Sequence, residues 1–281
     1  MTTVDVRLLI AGHSSQRERL ARRGGAWRSV PFPATVAVIA HPSGTVLYDT
    51  GYSQRYVDAT RPMPERLYRW IIPGVISSGE SAVEQLAARG IAASDISTIV
   101  LSHLHADHSS GILDFPVARI VAAEAPEGTA GQRARGSLWS TTSRGVLPAT
   151  LPEDYAQRRV DPATLPAVET GLLGMGEGYD VMGDGSIVAV PLPGHSPGHF
   201  GLWLPTTQGP RVLLVGDACW LRAALTGDLP PQQVIATMHD PDAYVRTITA
   251  LTRLAAARPD ILIVPSHCQE TVDAASALLD G

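Results

Sequence analysis

Lysine is absent: all 22 basic residues of the 281-residue chain are arginine. Schiff-base catalysis and a lysine-bearing phosphate loop are therefore excluded, because both need that residue. Against 27 acidic residues the net charge is −5, and no basic stripe runs along the chain, so sequence-independent binding to a nucleic-acid backbone is not expected. Cysteine occurs only twice, at Cys219 and Cys268. That is too few for a disulfide framework and suits a reducing compartment. No stretch approaches the roughly 20 apolar residues of a membrane helix. The apolar run from Val6 to Gly12 follows Asp5 and not a basic segment, the wrong flank for a secretory signal. These features predict a cytoplasmic protein with neither membrane nor nucleic acid among its partners. What the chain does have is 44% hydrophobic residues against 17% charged ones, ample for a large core.

The order of patterns along the chain predicts sheets covered by helices, either α/β or α+β. Thr35–Ala40 and Thr45–Asp49 are β-rich runs joined by His41-Pro42-Ser43-Gly44, a hairpin signal. Residues 52–79 mix three prolines with Leu67, Tyr68, Trp70, Ile71 and Ile72 and read as a loop or broken helix. Ser81–Arg89 has helical periodicity with Gly90 as its stop. Ser97–Leu101 is a short buried-strand run. The segment from about 124 to 180, dense in glycine, proline, alanine and threonine, reads as an insertion or lid of irregular structure, since loops of that length are usually functional or disordered. Further strands are expected at Ser186–Val190, Phe200–Leu204, Arg211–Val215 and Ile261–Val264, with a helix near 243–257.

The chemistry concentrates in Ser102-His103-Leu104-His105-Ala106-Asp107-His108, directly after the Ser97–Leu101 run. In an extended chain residues two apart point the same way, so His103 and His105 can grip one ion together. Asp107 and His108 fall on the next turn and can reach a second. Imidazole and carboxylate ligands suit Zn²⁺, with Mn²⁺, Co²⁺ or Fe²⁺ open by the same donor chemistry. Three more candidates, His195, Asp217 and His267, each follow an apolar strand. Single histidines in such places are more often core or turn residues. Five histidines and two aspartates, all at strand ends, predict one metal site at one sheet edge.

The pattern His103-x-His105-x-Asp107-His108, followed in order by His195, Asp217 and His267, resembles the metallo-β-lactamase superfamily. The likeness covers most of the chain, including Tyr48-Asp49-Thr50-Gly51 and Pro193-Gly194-His195-Ser196-Pro197-Gly198-His199. It implies an α+β fold, a four-layer αβ/βα sandwich, in a single domain spanning 1–281. It implies two divalent metal ions, one held by His103, His105 and His195, the other by Asp107, His108 and His267, with Asp217 bridging both. Asp49 matches a carboxylate that orients the ligands from behind. Within the superfamily, the segments 41–51, 179–190 and Gly216-Asp217-Ala218-Cys219 are similar to N-acyl homoserine lactone lactonases, which usually carry tyrosine where this chain has Trp220. The implied function is hydrolysis of a small-molecule lactone or ester. Two divalent ions, two carboxylates and a bridging hydroxide leave about +1 at the reacting centre, so the hydroxide, available near neutral pH, would attack the carbonyl. Asp107 and Asp217 are the catalytic candidates, Asp107 passing a proton to the leaving alkoxide. The alternatives are the same site acting on a thioester, aryl ester, phosphotriester or β-lactam, or a metal-bearing binding protein without turnover. Relatives also suggest a homodimer, by analogy.

Several residues carry weaker expectations. His199 is assigned to support behind the ligands. His13, His41 and His239 have no partner visible in the sequence. Cys219 and Cys268 flank proposed ligands and read as small buried residues. Gly174-Met175-Gly176-Glu177-Gly178 precedes a strand and lacks a following lysine, so it is not a phosphate loop. Trp220, Tyr68, Trp70 and Trp139, together with Trp27 and Phe32, are expected to line an apolar substrate pocket or to belong to the core.

Overall fold

Alternating burial along the strands sets the architecture of the computed structural model, which describes residues 2, 4–123, 142, 144–204 and 211–279. β1 (Asp5–Arg17), β2 (Ser29–His41), β3 (Gly44–Tyr48), β4 (Ile96–Val100), β5 (Arg119–Val121) and β6 (Arg159–Val160) form one sheet in that spatial order. A second sheet runs in the order β12 (Ile261–Pro265), β11 (Arg211–Gly216), β10 (Phe200–Leu204), β9 (Val188–Pro191), β8 (Glu177–Asp180) and β7 (Ala167–Glu169). The helices are α1 (Glu18–Ala21), α2 (Gln54–Ala59), α3 (Glu65–Ile71), α4 (Ala82–Ala87), α5 (Ala106–Ser109), α6 (Tyr155–Arg158), α7 (Gln232–Ile235), α8 (Pro241–Ala257) and α9 (Gln269–Leu279).

Successive strand residues face opposite sides of a sheet, and here both sides are apolar. Ala37, Ile39, Val46, Tyr48 and Val100 of the first sheet share one buried cluster with Leu202, Leu204, Val212, Leu214 and Val264 of the second. Their neighbours Val36, Val38, Leu47 and Ile99 face outward and are covered by Ala82 and Leu86 of α4. Leu213, Val215, Ile261 and Ile263 are covered in the same way by Ile248, Leu251 and Leu254 of α8. The result is helix, sheet, sheet, helix, the four-layer αβ/βα sandwich expected. α4 starts at a capping box in which Ser81 and Glu84 bond each other's backbone amides. α8 starts at Asp240, whose carboxylate accepts from Ala243 N at 2.9 Å, with proline in the first turn.

β3, β4 and β5 pair in parallel, as do β11 and β12, so their carboxyl ends emerge along one edge. The two sheets are tied there by Tyr48 Oη donating to the Phe200 carbonyl at 2.8 Å and by Thr35 Oγ1 donating to the Ser266 carbonyl at 2.6 Å. Residues 52–79 fold as the broken helix expected, α2 and α3. The described part of 124–180 is more regular than its composition implied: it supplies β6, β7 and β8, which extend the edges of both sheets. Among the described residues no helix is long and apolar enough to cross a membrane.

The turn between β1 and β2 is held by charge. Glu18 accepts from Arg22 Nε at 3.0 Å and from Arg28 Nε at 2.8 Å, and Arg22 also donates to Asp228 at 3.0 Å. Hydrogen bonds from Arg28 and Arg22 hold the Glu18 carboxyl down to about 2, against an ordinary 4.5. A depressed carboxyl stabilises the fold above its unfolded value and loses that contribution as the pH falls from about 4.5 towards 2. Glu18→Gln is therefore expected to lower Tm at pH 7 and to have little effect at pH 2. Equal losses at both pH values would show that the arginine contacts are not the cause.

Candidate metal centre

Each proposed ligand stands just beyond a strand end on the shared edge. His103 and His105 lie in the extended stretch after β4, and Asp107 and His108 in the short turn of α5 that follows. His195 lies in the loop after β9, Asp217 is the residue after β11, and His267 is the second residue after β12. Folding joins the first sheet's four side chains to the second sheet's three. Their donor atoms form two groups, His103, His105, His195 and Asp217 in one and Asp107, His108 and His267 in the other.

Asp217 stands between the groups. Its Oδ2 is 3.2 Å from His195 Nε2 on one side, while its Oδ1 is 2.9 Å from His267 Nε2 and 3.1 Å from His108 Nε2 on the other. His195 Nε2 is 3.1 Å from His105 Nδ1, and Asp107 Oδ2 is 3.5 Å from His267 Nε2. Burial pushes His103 and His195 well below the usual imidazole range. Burial acts on His108 and His267 in the same sense, but the surrounding carboxylates together outweigh it, Asp217 and Asp107 for both and Asp49 also for His108, and hold both above that range. Burial would raise Asp217, yet His267, His108 and His195 keep it well below the ordinary carboxyl value. His103 Nε2, His108 Nε2 and Asp217 Oδ1 are buried without a hydrogen-bond partner. A buried polar atom left in that state costs about 1–3 kcal/mol. Three at one point, all lone-pair donors, fit divalent ions.

The far side of each ring is held as metal-ligating histidines usually are. His108 Nδ1 is 2.7 Å from Asp49 Oδ2, and His267 Nδ1 donates to the Pro33 carbonyl at 2.8 Å. Ser102 joins the network: its amide donates to Asp49 Oδ1 at 2.7 Å and its hydroxyl to Asp49 Oδ2 at 2.9 Å, with His103 Nδ1 2.9 Å from the same hydroxyl. Asp49 makes these contacts from φ 60, a left-handed conformation in which a buried non-glycine residue is strained and which is typical of functional sites. His195 Nδ1 reaches the thioether of Met238 at 3.2 Å. His199 accepts the Asp217 amide at Nε2, 3.0 Å away, and burial pushes it down to about 3, so it supports the Asp217 backbone.

Above the centre is a cavity of about 270 Å³. His105, Asp107, His195, Asp217 and His267 line it together with Ser14, Gln16 and the apolar Leu20, Phe32, Ile71, Ile72, Trp220 and Val234; among the described residues no arginine does. Of the aromatic candidates, Trp220 and Phe32 line it. Tyr68 does not: it packs against Tyr56 in a buried cluster behind Asp107. Trp70 is 68% exposed and Trp27 65%, and neither lines the cavity. Trp139 lies outside the described residues. Met238 and Pro33 escaped sequence reasoning, and Ile71 and Ile72 were read only as part of the segment 52–79.

A family model described as the metallo-beta-lactamase superfamily matches residues 29–267. N-acyl homoserine lactonase AiiB of Agrobacterium fabrum is 26% identical over 254 residues, covering 90% of this chain and 86% of that protein. The probable metallo-hydrolase Rv2300c of Mycobacterium tuberculosis is 32% identical over 251 residues, covering 83% and 73%. Among solved structures, an N-acyl homoserine lactone hydrolase with N-hexanoyl-L-homoserine at its catalytic metal centre superposes with a TM-score of 0.69 at 20% identity, covering 98% of this chain and 97% of the other. AidC, a dizinc quorum-quenching lactonase, superposes with a TM-score of 0.59 at 16% identity, covering 96% and 89%. At these identities the superpositions speak for the fold.

Proposed function

The chain belongs to the metallo-beta-lactamase superfamily and is a hydrolase, and from that premise we propose that it opens N-acyl homoserine lactones or closely related neutral esters. The observation that carries this reading is the cavity, where five of the seven converging imidazole and carboxylate side chains lie beneath a mostly apolar wall with no arginine among the described residues. Such a wall suits an uncharged substrate with an apolar acyl group.

In this reading His103, His105 and His195 hold one divalent ion, Asp107, His108 and His267 hold the other, and Asp217 spans both. Zinc suits these donors, and manganese, cobalt or iron(II) follow by the same chemistry. When bound, such a pair supplies a hydroxide nucleophile at neutral pH and Lewis-acid polarisation of the carbonyl. The chain's own groups do the rest. Asp107 faces the cavity with its carboxylate partly accessible and is placed to return a proton to the leaving alkoxide. Phe32, Ile71 and Ile72 offer an apolar surface to the acyl group. Trp220 occupies the position where the lactonases have tyrosine. Its indole N–H donates to Asp217 Oδ2 at 3.0 Å, so it offers no phenol to the substrate. The two thiols are buried and unpaired, which supports a reducing, cytoplasmic setting.

A panel of N-acyl homoserine lactones, thioesters, aryl esters, phosphotriesters and β-lactams, assayed with Zn²⁺, Mn²⁺ or Co²⁺, tests the reading. Ring opening of lactones is expected to exceed turnover of every other class, with apolar acyl chains favoured. Preference for an anionic β-lactam, or inactivity of the metal-loaded protein across the panel, would refute it.

A further inference from the structure

We propose that the two ion sites are unequal: the site of Asp107, His108 and His267 holds its ion the more tightly, and Trp220 and Met238 weaken the other. The inference rests on the dinuclear reading above and concerns what stands behind each donor. A strong acceptor on one ring nitrogen makes the other a better metal donor. At the tighter site His108 has the Asp49 carboxylate at 2.7 Å and His267 has the Pro33 carbonyl at 2.8 Å. At the weaker site His103 has the Ser102 hydroxyl at 2.9 Å, His105 a backbone contact with Arg144, and His195 only the thioether of Met238 at 3.2 Å; among the described residues no carboxylate backs any of the three, and sulfur of that kind is a poor acceptor.

The bridging carboxylate is biased in the same direction. Oδ1, on the side of His108 and His267, has no hydrogen-bond partner. Oδ2, on the side of His195, accepts the Trp220 indole N–H at 3.0 Å. A carboxylate oxygen has two lone pairs, so an ion and an indole can share it, but the indole withdraws electron density from the side that faces His195. Asp107 adds a further anionic donor at the other site alone. Trp220 is fixed in this role by edge contacts with His195, at 5.9 Å between ring centroids, and with Phe32, at 6.3 Å; Phe32 in turn stacks on His267 at 5.2 Å. Trp220 and Met238 are thus positioning residues that act through Asp217 and His195.

The test reads metal binding and not turnover. The full chain, stripped of metal, is titrated with Co²⁺ against a chelating competitor and followed by Co²⁺ absorption. Two steps at least tenfold apart are expected. His105→Ala should keep the tight step and lose the weak one, and His267→Ala should do the reverse. Trp220→Phe, which keeps a ring without the N–H, and Met238→Gln, which puts a carbonyl acceptor near His195, should each tighten the weak step by about tenfold, the lower end of such effects, and leave the tight step alone. If either variant fails to fold, the other decides. The proposal is overturned if the steps coincide, if the tight step is lost with His105→Ala and survives His267→Ala, or if the foldable variants leave the weak step unmoved. A chain that takes up no Co²⁺ would instead refute the dinuclear reading, whereas the lactonase assignment can fail without touching this result.

Discussion

Asp217→Asn should lower kcat by about three orders of magnitude, because the several kcal/mol that a divalent ion contributes to a transition state depend on the ion being held. Among the described residues Asp217 is the one side chain within 3.2 Å of candidate ligand nitrogens in both groups, with Oδ1 2.9 Å from His267 and Oδ2 3.2 Å from His195. Asparagine keeps the shape but replaces one oxygen by a donor with no lone pair to give. Whichever way the amide turns, one group loses its bridging ligand. The backbone should not change, because the Asp217 amide remains bonded to His199. Metal analysis and lactone turnover on the same sample check the expectation. A variant that retains both ions and runs within tenfold of the parent would show that Asp217 is no bridge.

Gly194→Ala should cost more than about 4 kcal/mol, the range reserved for severe mechanisms, and should leave little folded protein. Gly194 adopts φ +130, a region closed to residues with a Cβ, and a Cβ built there meets Tyr244 N at 2.2 Å and Tyr244 Cα at 2.3 Å. Those are backbone atoms in the first turn of α8 and cannot swing aside. The loop is also stitched to that helix: Asp240 N donates to the Gly194 carbonyl at 2.9 Å and Thr247 Oγ1 to the Pro193 carbonyl at 2.7 Å. Relief of the clash would have to drag α8 away from its sheet or push His195 out of the centre. Urea unfolding of the variant gives the cost directly, and a loss below about 1 kcal/mol would mean that the loop is far softer than its hydrogen bonds imply.

The cluster of candidate ligands was legible in the sequence for a local reason. An apolar strand followed at once by His103-x-His105-x-Asp107-His108 fixes spacing and direction over a few residues, and the other three candidates each follow a strand of the same kind. Supports that come from distant chain were not legible. Nothing near Met238 or Pro33 signals that a thioether and a carbonyl back two histidines; only the packing of α8 and of β2 brings them there. Trp70 illustrates a different failure. In α3 one residue step turns the side chain by about 100°, so Tyr68 is buried while Trp70 is left exposed, and size alone chose the wrong residue. The strands β6, β7 and β8 are two to four residues long, too short for a period of two to register against prolines and glycines.

The division of the centre between the two sheets has a consequence for how the molecule holds together. Four proposed ligands descend from one sheet and three from the other, so an ion pair at that edge would rivet the two halves of the sandwich at a point where the protein by itself has buried donors without partners. Ions that bind the folded chain and not the unfolded one add stability by mass action, about 2.7 kcal/mol for a site at one hundred times its Kd. Cellular metal supply would then govern the chain's lifetime as well as its catalysis, and scarcity of the ion would remove the enzyme through unfolding and turnover of the chain itself.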